Sequence, residues 1–269
     1  MHRVKASVYV LAHTVLYEPT NLILSTDGGA PPGLRNMLMA IDAQDWETDG
    51  EGMDALAEVA GRLCYMSFVP GMNPNVTKIR EGNLPYVANI MAQKHGSVLE
   101  HSSITFAFLN CSRVLTHELV RHRAGMAYSQ QSMRYVRLKN LPMVMPDEFM
   151  ADPELAGRCE SICGSIEEFL AAITKKYDLD NCRDFKLKKR ITSGMRRMVP
   201  QGVGTHIIWT ANVRALRHLL EMRTSEGAEE EIRDAFNIVG QYASYLAPAM
   251  FSDFTVNGSR EWVPANSKV

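Results

Sequence analysis

The chain has 269 residues, 46% of them apolar, with 29 Lys and Arg set against 30 Asp and Glu for a formal net charge of −1. That length suffices for one sizeable core, and the near-neutral balance argues against a protein that holds nucleic acid by broad counterion release. No apolar run approaches the ~20 residues of a membrane span. The five cysteines are odd in number and contain no CxxC pair, so a reduced, cytoplasmic setting is expected rather than a disulfide framework.

In chain order, Val4 to His13 is apolar and β-branched and predicts a first strand. Residues 18–50 break the pattern with Glu18-Pro19, Asp27-Gly28-Gly29-Ala30-Pro31-Pro32-Gly33 and Thr48-Asp49-Gly50-Glu51-Gly52, which read as an enlarged loop region holding a short helix near Leu34–Ile41. Helical spacing recurs over Met53–Tyr65 and over Leu84–His95, with Asn83 as the expected cap. Ser103–Leu109 reads as a strand, Arg113–Arg123 as a helix, and 124–135 as a loop or strand approach. Asp152–Lys175 and Arg183–Met195 are helical by period, Pro200 closes the second, and His206–Trp209 is a strand. Val213–Arg223 and Glu229–Ala247 complete the helices, and the tail after Phe254 is expected to be loosely ordered. Few strands interleaved with long helices predict an α+β fold in a single domain, 1–269.

One stretch carries chemistry. Arg121-His122-Arg123 and then Tyr128-Ser129-Gln130-Gln131-Ser132-Met133-Arg134-Tyr135 crowd guanidinium, imidazole, amide and hydroxyl donors together, with only Glu118 as a nearby carboxylate. Guanidinium forks match phosphate in two hydrogen bonds, so this pattern points to an anion held beside a polar ring, as in a nucleotide. A solvated basic face is the plainer reading of any charge run, but this one follows an apolar segment and contains almost no Lys or Glu. Ser132 has no visible His and carboxylate arranged to activate it, so it reads as a binding residue and not a nucleophile. His95 and His101 lack a third ligand nearby, and no metal site is expected. No GxGxxG occurs, which excludes a Rossmann cradle.

The block Thr116-His117-Glu118-Leu119-Val120-Arg121-His122-Arg123 followed by Tyr-Ser-Gln-x-Ser-x-Arg-Tyr at 128–135 resembles the signature of the flavin-dependent thymidylate synthases. Three further blocks stand in the family's order: Ala60-Gly61-Arg62-Leu63-Cys64-Tyr65, His95 to His101, and Asn212 to His218 with Met222-Arg223. The likeness covers about Val4 to Phe254, and four ordered blocks are more specific than one short motif.

The resemblance implies a mainly antiparallel sheet wrapped by helices, and reductive methylation of dUMP with FAD, methylene-tetrahydrofolate and NADPH. It maps Glu118, Arg121, Gln130, Ser132, Arg134, Arg196 and Arg223 onto dUMP-binding positions. His95, Ser97, Arg121, His122, Arg123, Asn212 and His218 fall on FAD positions, and Tyr65 falls beside the folate. Arg134 and His95 are the catalytic candidates; a guanidinium against the uracil carbonyl would stabilise developing negative charge. The resemblance further implies a homotetramer with shared sites, no membrane contact and no nucleic-acid partner. Two features depart from the family: one extra residue, falling within 124–127, and Gly227 where a histidine is usual. Both leave a nucleotide hydroxymethylase as the nearest alternative, and a non-catalytic nucleotide- or RNA-binding module as a remote one.

Overall fold

The computed structural model describes residues 1–18, 32–138 and 140–269. The turn signal at Asp27 to Pro31 lies outside them. The fold is α+β, as predicted, with a four-stranded antiparallel sheet in the order β2-β3-β6-β4. Those strands are β2 (Ser7–His13), β3 (Ser103–Ser112), β4 (Met126–Gln130) and β6 (Gly204–Asn212). The chain divides into two compact units, the first made of Met1–Tyr9, Phe106–Arg123 and Ala127–Trp209, the second of Val10–Thr105, Ala124–Met126 and Thr210–Val269.

In the first unit, β1 (His2–Arg3) pairs in parallel with β5 (Pro142–Met143). Helices α4 (Arg113–Leu119), α5 (Asp147–Ala151), α6 (Pro153–Lys176) and α7 (Phe185–Met195) follow one another along it. Asp152 caps α6, and Asp184 caps α7 by accepting from the Lys186 and Leu187 amides, which satisfies donors that have no partner in the first turn. From α6, Cys163, Ile166, Leu170 and Ile173 recur at helical spacing and pack with Leu141, Leu179, Met195 and Val203. Helix α7 gives only Ile191 and Met195 to this core; its other side carries Lys186, Lys189 and Arg190 and faces an open pocket.

In the second unit, α1 (Leu34–Ala40) and α2 (Gly52–Tyr65) surround a cluster of Leu34, Leu38, Trp46, Val59 and Phe68. Helix α3 (Asn83–Ala92) packs on α2, and α8 (Val213–Arg223) packs on α9 (Glu230–Leu246). The strands β7 (Phe254–Val256) and β8 (Trp262–Pro264) form an antiparallel hairpin. Gly240 of α9 has no room for a side chain, since a Cβ would lie 2.5 Å from the Trp262 indole.

Four sequence expectations need correction. The tail after Phe254 is a folded hairpin, not a loose end: Trp262 is only 7% exposed, and its indole donates to Asn237. Asn83 does not cap α3 but is its first residue, buried, with its amide donating to the Asp54 carbonyl and the Glu58 carboxylate. Helix α4 ends at Leu119 instead of Arg123, because the chain turns back and the Tyr128 hydroxyl reaches the Leu119 and His122 carbonyls. β3 runs past Leu109 to Ser112 through Asn110, which takes a left-handed φ of 55° and donates its amide to the His206 ring; asparagine tolerates that conformation better than most residues.

Candidate nucleotide-binding site

The open face of α7, the turn at Arg196–Met198 and Arg134 enclose a pocket of about 550 Å³. Its lining is Arg134, Lys186, Lys189, Arg190, Ser193, Gly194, Arg196 and Arg197, with no described carboxylate among them. None of the six cations belongs to an ion pair among the described residues. Fixed positive charges left without counter-charges in a concave site favour an anion of matching shape. Two groups beside the pocket register the accumulated charge. Burial, then the Arg196 charge, lowers the Arg113 pKa. A hydrogen bond from Lys189 and the Lys189 charge lower that of the Tyr135 phenol, against a small opposing effect of burial and with help from Arg134. The Tyr135 ring also lies 5.5 Å from Lys189 Nζ and 5.8 Å from the Arg134 guanidinium carbon.

Local structure sets up this arrangement. Ser132 Oγ accepts from the Arg134 amide at 3.3 Å, and its carbonyl accepts from Tyr135 and Val136, which closes a turn that presents Arg134. β4 leads into that turn, and the Gln131 amide bonds the His206 carbonyl of β6 at 2.8 Å. Gln130 is half-buried and donates to Thr116 Oγ1 of α4 at 2.9 Å. Glu118 and His122 are half-buried, while Arg121 and Arg123 are exposed.

Of the predicted nucleotide residues, Arg134 and Arg196 therefore meet in one pocket and Ser132 shapes it, with Gln130, Glu118 and Arg121 in the same unit. Arg223 belongs to the other unit, half-buried at the end of α8. Sequence reading missed Lys186, Lys189, Arg190, Ser193 and Arg197. A signal was available for the first four: Lys186, Lys189, Arg190 and Ser193 share one face of a predicted helix, opposite the apolar Ile191 and Met195, whereas Arg197 lies in the turn beyond it.

In the second unit, the Tyr65 hydroxyl lies 2.9 Å from His95 Nδ1 and the two rings stack at 5.6 Å, both accessible to solvent. Ser97 is exposed in the turn that follows. Asn212 caps α8, its Oδ1 accepting from the Ala215 amide at 2.8 Å, and its own amide bonds the Gly125 carbonyl. Gly125, in the lengthened loop, has φ 71° and a side chain there would strike Asn212, so glycine is required on both counts. His218 is exposed in a small cleft with Arg214, Glu221 and Lys268. Gly227 is exposed and has open space where a side chain would stand. Among the described residues no group of three His, Cys, Asp or Glu could hold a metal ion, and no helix is long and apolar enough to cross a membrane.

Comparison with known proteins points to one family. The model of the family described as thymidylate synthase complementing protein matches residues 47–249. The chain is 37% identical over 240 residues to the flavin-dependent thymidylate synthase of Mycobacterium avium strain 104, covering 87% of this chain and 89% of that relative. The same identity and coverage hold for the enzyme of Mycobacterium tuberculosis strain H37Rv. Among solved structures, the UMP/dUMP methylase PolB from Streptomyces cacaoi, bound with 5-Br UMP, aligns with a TM-score of 0.61 over 93% of this chain and 94% of that one, at 14% identity. That likeness concerns the fold.

Proposed function

Because the chain belongs to the thymidylate synthase complementing protein family, the flavin-dependent thymidylate synthases, we propose that it methylates dUMP to dTMP and that its open basic pocket receives the nucleotide. The observation that carries the placement is the meeting of Arg134 and Arg196 in a pocket without a carboxylate.

Uracil C5 is a weak nucleophile until negative charge is allowed to build on the ring oxygens. Arg134 supplies a planar fork for that charge, an oxyanion-type contact stronger at the transition state than in the ground state. Arg196, Arg121 and Arg223 serve the phosphate, and Gln130, Ser132 and Glu118 serve the ribose or the base edges. Ser132 also closes, through its hydroxyl, the turn that presents Arg134, and it is not a nucleophile.

When bound, FAD supplies the redox chemistry of the one-carbon transfer. The residues that would hold it are His95, Ser97, Arg121, His122, Arg123, Asn212 and His218. This donor set fits a dinucleotide, because cationic forks and imidazole N–H groups can bind its pyrophosphate without a glycine-rich helix start. Tyr65 and His95 offer an accessible pair of flat rings, suited to a folate ring, and His95 is the second catalytic candidate. Methylene-tetrahydrofolate as the carbon donor and NADPH as the reductant complete the reaction. We further infer a homotetramer with shared sites in a single-domain chain. A cytoplasmic setting is supported by five cysteines that form no disulfide.

The decisive experiment combines a spectrum with a product mass. Purified protein supplied with FAD should show flavin absorption and convert dUMP, methylene-tetrahydrofolate and NADPH into a nucleotide with the mass of dTMP. A product heavier by one oxygen would replace methylation by hydroxymethylation, and failure to bind FAD would remove the enzyme reading. His95→Ala and Arg123→Ala should each weaken FAD at least ~10-fold, as expected when a charge-assisted hydrogen bond is lost.

A further inference from the structure

Helix α7 carries more positive charge than a nucleotide monophosphate uses. Lys186, Lys189, Arg190 and Ser193, then Arg197 in the turn beyond the helix, follow at steps of three, one, three and four residues. Those steps keep them on one side of the chain, and all five line the pocket that Arg134 and Arg196 enter. At the rise of a helix this row extends roughly 17 Å. A phosphate is held by two or three donors gathered at one point. Cations spread along an open wall, first about one turn and then about two turns apart, instead match a ligand whose negative charges are themselves spread along a chain.

The chemistry of the wall narrows the ligand class. Lys186, Arg190 and Arg197 are exposed, and Lys189 is half-buried between the rings of Tyr135 and Phe185, at 5.5 and 6.0 Å. Such side chains can follow a mobile strand of anions, each contact being weak alone and useful in series. Arg113 is half-buried and close enough to Arg196 for the two charges to interact, which adds to the positive charge beside the wall. A dinucleotide would leave this regular row poorly used, because its charge is concentrated at its phosphates.

We propose that the Lys186-Lys189-Arg190-Arg197 row binds a flexible chain bearing one carboxylate per repeat, and that in the assigned reaction this chain is the γ-linked oligoglutamyl tail of the one-carbon donor. The identity of the tail rests on the folate reading above; the oligocarboxylate site rests on the row itself. The row then acts as a specificity element, drawing in the donor while Arg134 engages the nucleotide.

The test compares tetrahydrofolate carrying one or four γ-linked glutamates, together with the isolated tetra-γ-glutamate peptide, by calorimetry on the FAD-loaded protein at low and high salt. At low salt the four-glutamate form should bind about 10-fold more tightly than the one-glutamate form, an advantage that shrinks as salt screens the exposed charges. Lys186→Gln combined with Arg190→Gln should reduce that ratio to under ~2-fold and abolish peptide binding, with an unchanged melting profile as the control for folding. Equal binding of the two folates by the wild type, or a preference that survives in the double variant, overturns the proposal. So does a double variant that loses affinity for NADPH and keeps its preference for the longer tail. If neither folate binds but the peptide binds the wild type and not the variant, the donor reading fails and the oligocarboxylate site stands.

Discussion

Arginine serves opposite purposes in two regions of this molecule. In the second unit, Arg62 is 2% exposed and spends its whole guanidinium on the fold: Nε donates to Glu58, and the two amino groups donate to the Ser67 and Arg80 carbonyls at 2.9 and 2.7 Å. Arg217 is likewise buried, with paired contacts to Asp253 at 2.7 and 2.9 Å and further donation to the Met250 and Asn266 carbonyls. In the first unit, Arg134, Arg190, Arg196 and Arg197 line open space, in none of the described ion pairs. A buried cation must be fully matched to be tolerated, whereas an unmatched one is tolerated only in contact with water, where it is ready for a ligand. Belonging to a family block does not by itself distinguish the two uses, since Arg62 and Arg217 also lie in such blocks.

The largest effect should come from breaking a matched arginine. Arg217→Met leaves the half-buried Asp253 carboxylate without its cation, with only Asn266 still donating to it, and should cost about 3 kcal/mol of stability, read from denaturant unfolding. Burial pushes the Asp253 carboxyl up, but the Arg217 hydrogen bonds and charge, with Asn266, outweigh it and hold the group below its ordinary range. Its contribution is therefore fully present above the unfolded value near 3.9, and it fades as pH falls through the depressed folded value. Asp253→Asn should flatten stability against pH in that acid window. An unchanged acid limb in Asp253→Asn would show that the pair is not the titrating element.

Breaking an unmatched arginine should leave stability alone and remove activity. Arg134→Lys keeps the charge and loses the fork, so turnover should fall about 100-fold while the melting temperature stays within ~1 °C, as expected for an exposed site. Loss of stability without loss of turnover would place Arg134 with Arg62 and Arg217 instead.

Asn212 tests a residue with a foot in both categories. It caps α8 and stands among the FAD candidates. Asn212→Ala should cost about 1 kcal/mol of stability through the lost cap. Asn212→Asp preserves an acceptor for the Ala215 amide and removes the amide donor, so it should keep stability and weaken FAD about 10-fold, the equivalent of one hydrogen bond. Equal FAD affinity in wild type and Asn212→Asp would make Asn212 a cap alone.

Much of this was legible in the sequence for identifiable reasons. Long helices announce themselves by their period, as α6 and α7 do, although the aspartates that cap them, Asp152 and Asp184, fall inside the helices that the period predicts. The arginine cluster stood out because it lacks nearby carboxylates. What escaped depended on tertiary contacts. The hairpin after Phe254 is ordered by Trp262 packing on Gly240 and bonding Asn237, partners remote in sequence and invisible to local pattern. The end of α4 is fixed by a hydroxyl nine residues on, at Tyr128. Lys186, Lys189 and Arg190 look like any solvated helix face until Arg134 and Arg196 are seen to close the same pocket.

The smallest predicted effect reads the electrostatics of that pocket directly. Tyr135 is 58% exposed, so burial does little to its phenol, and the Lys189 hydrogen bond and charge, with Arg134, hold it below the usual value near 10. A depressed phenol favours its ionised form in the folded state, so folding gains slightly as pH rises through the depressed value and toward the unfolded one. Lys189→Met should move the Tyr135 titration upward, and Arg134→Met should move it less, because Lys189 contributes both the hydrogen bond and the larger charge effect. Ultraviolet difference spectra on a Tyr135→Phe background subtract the remaining tyrosines. If the row of cations binds an oligocarboxylate, adding tetra-γ-glutamate should raise the same pKa by drawing Lys189 away and screening it. A titration that responds to Lys189→Met but not to the peptide would separate the charge of the pocket from its occupant.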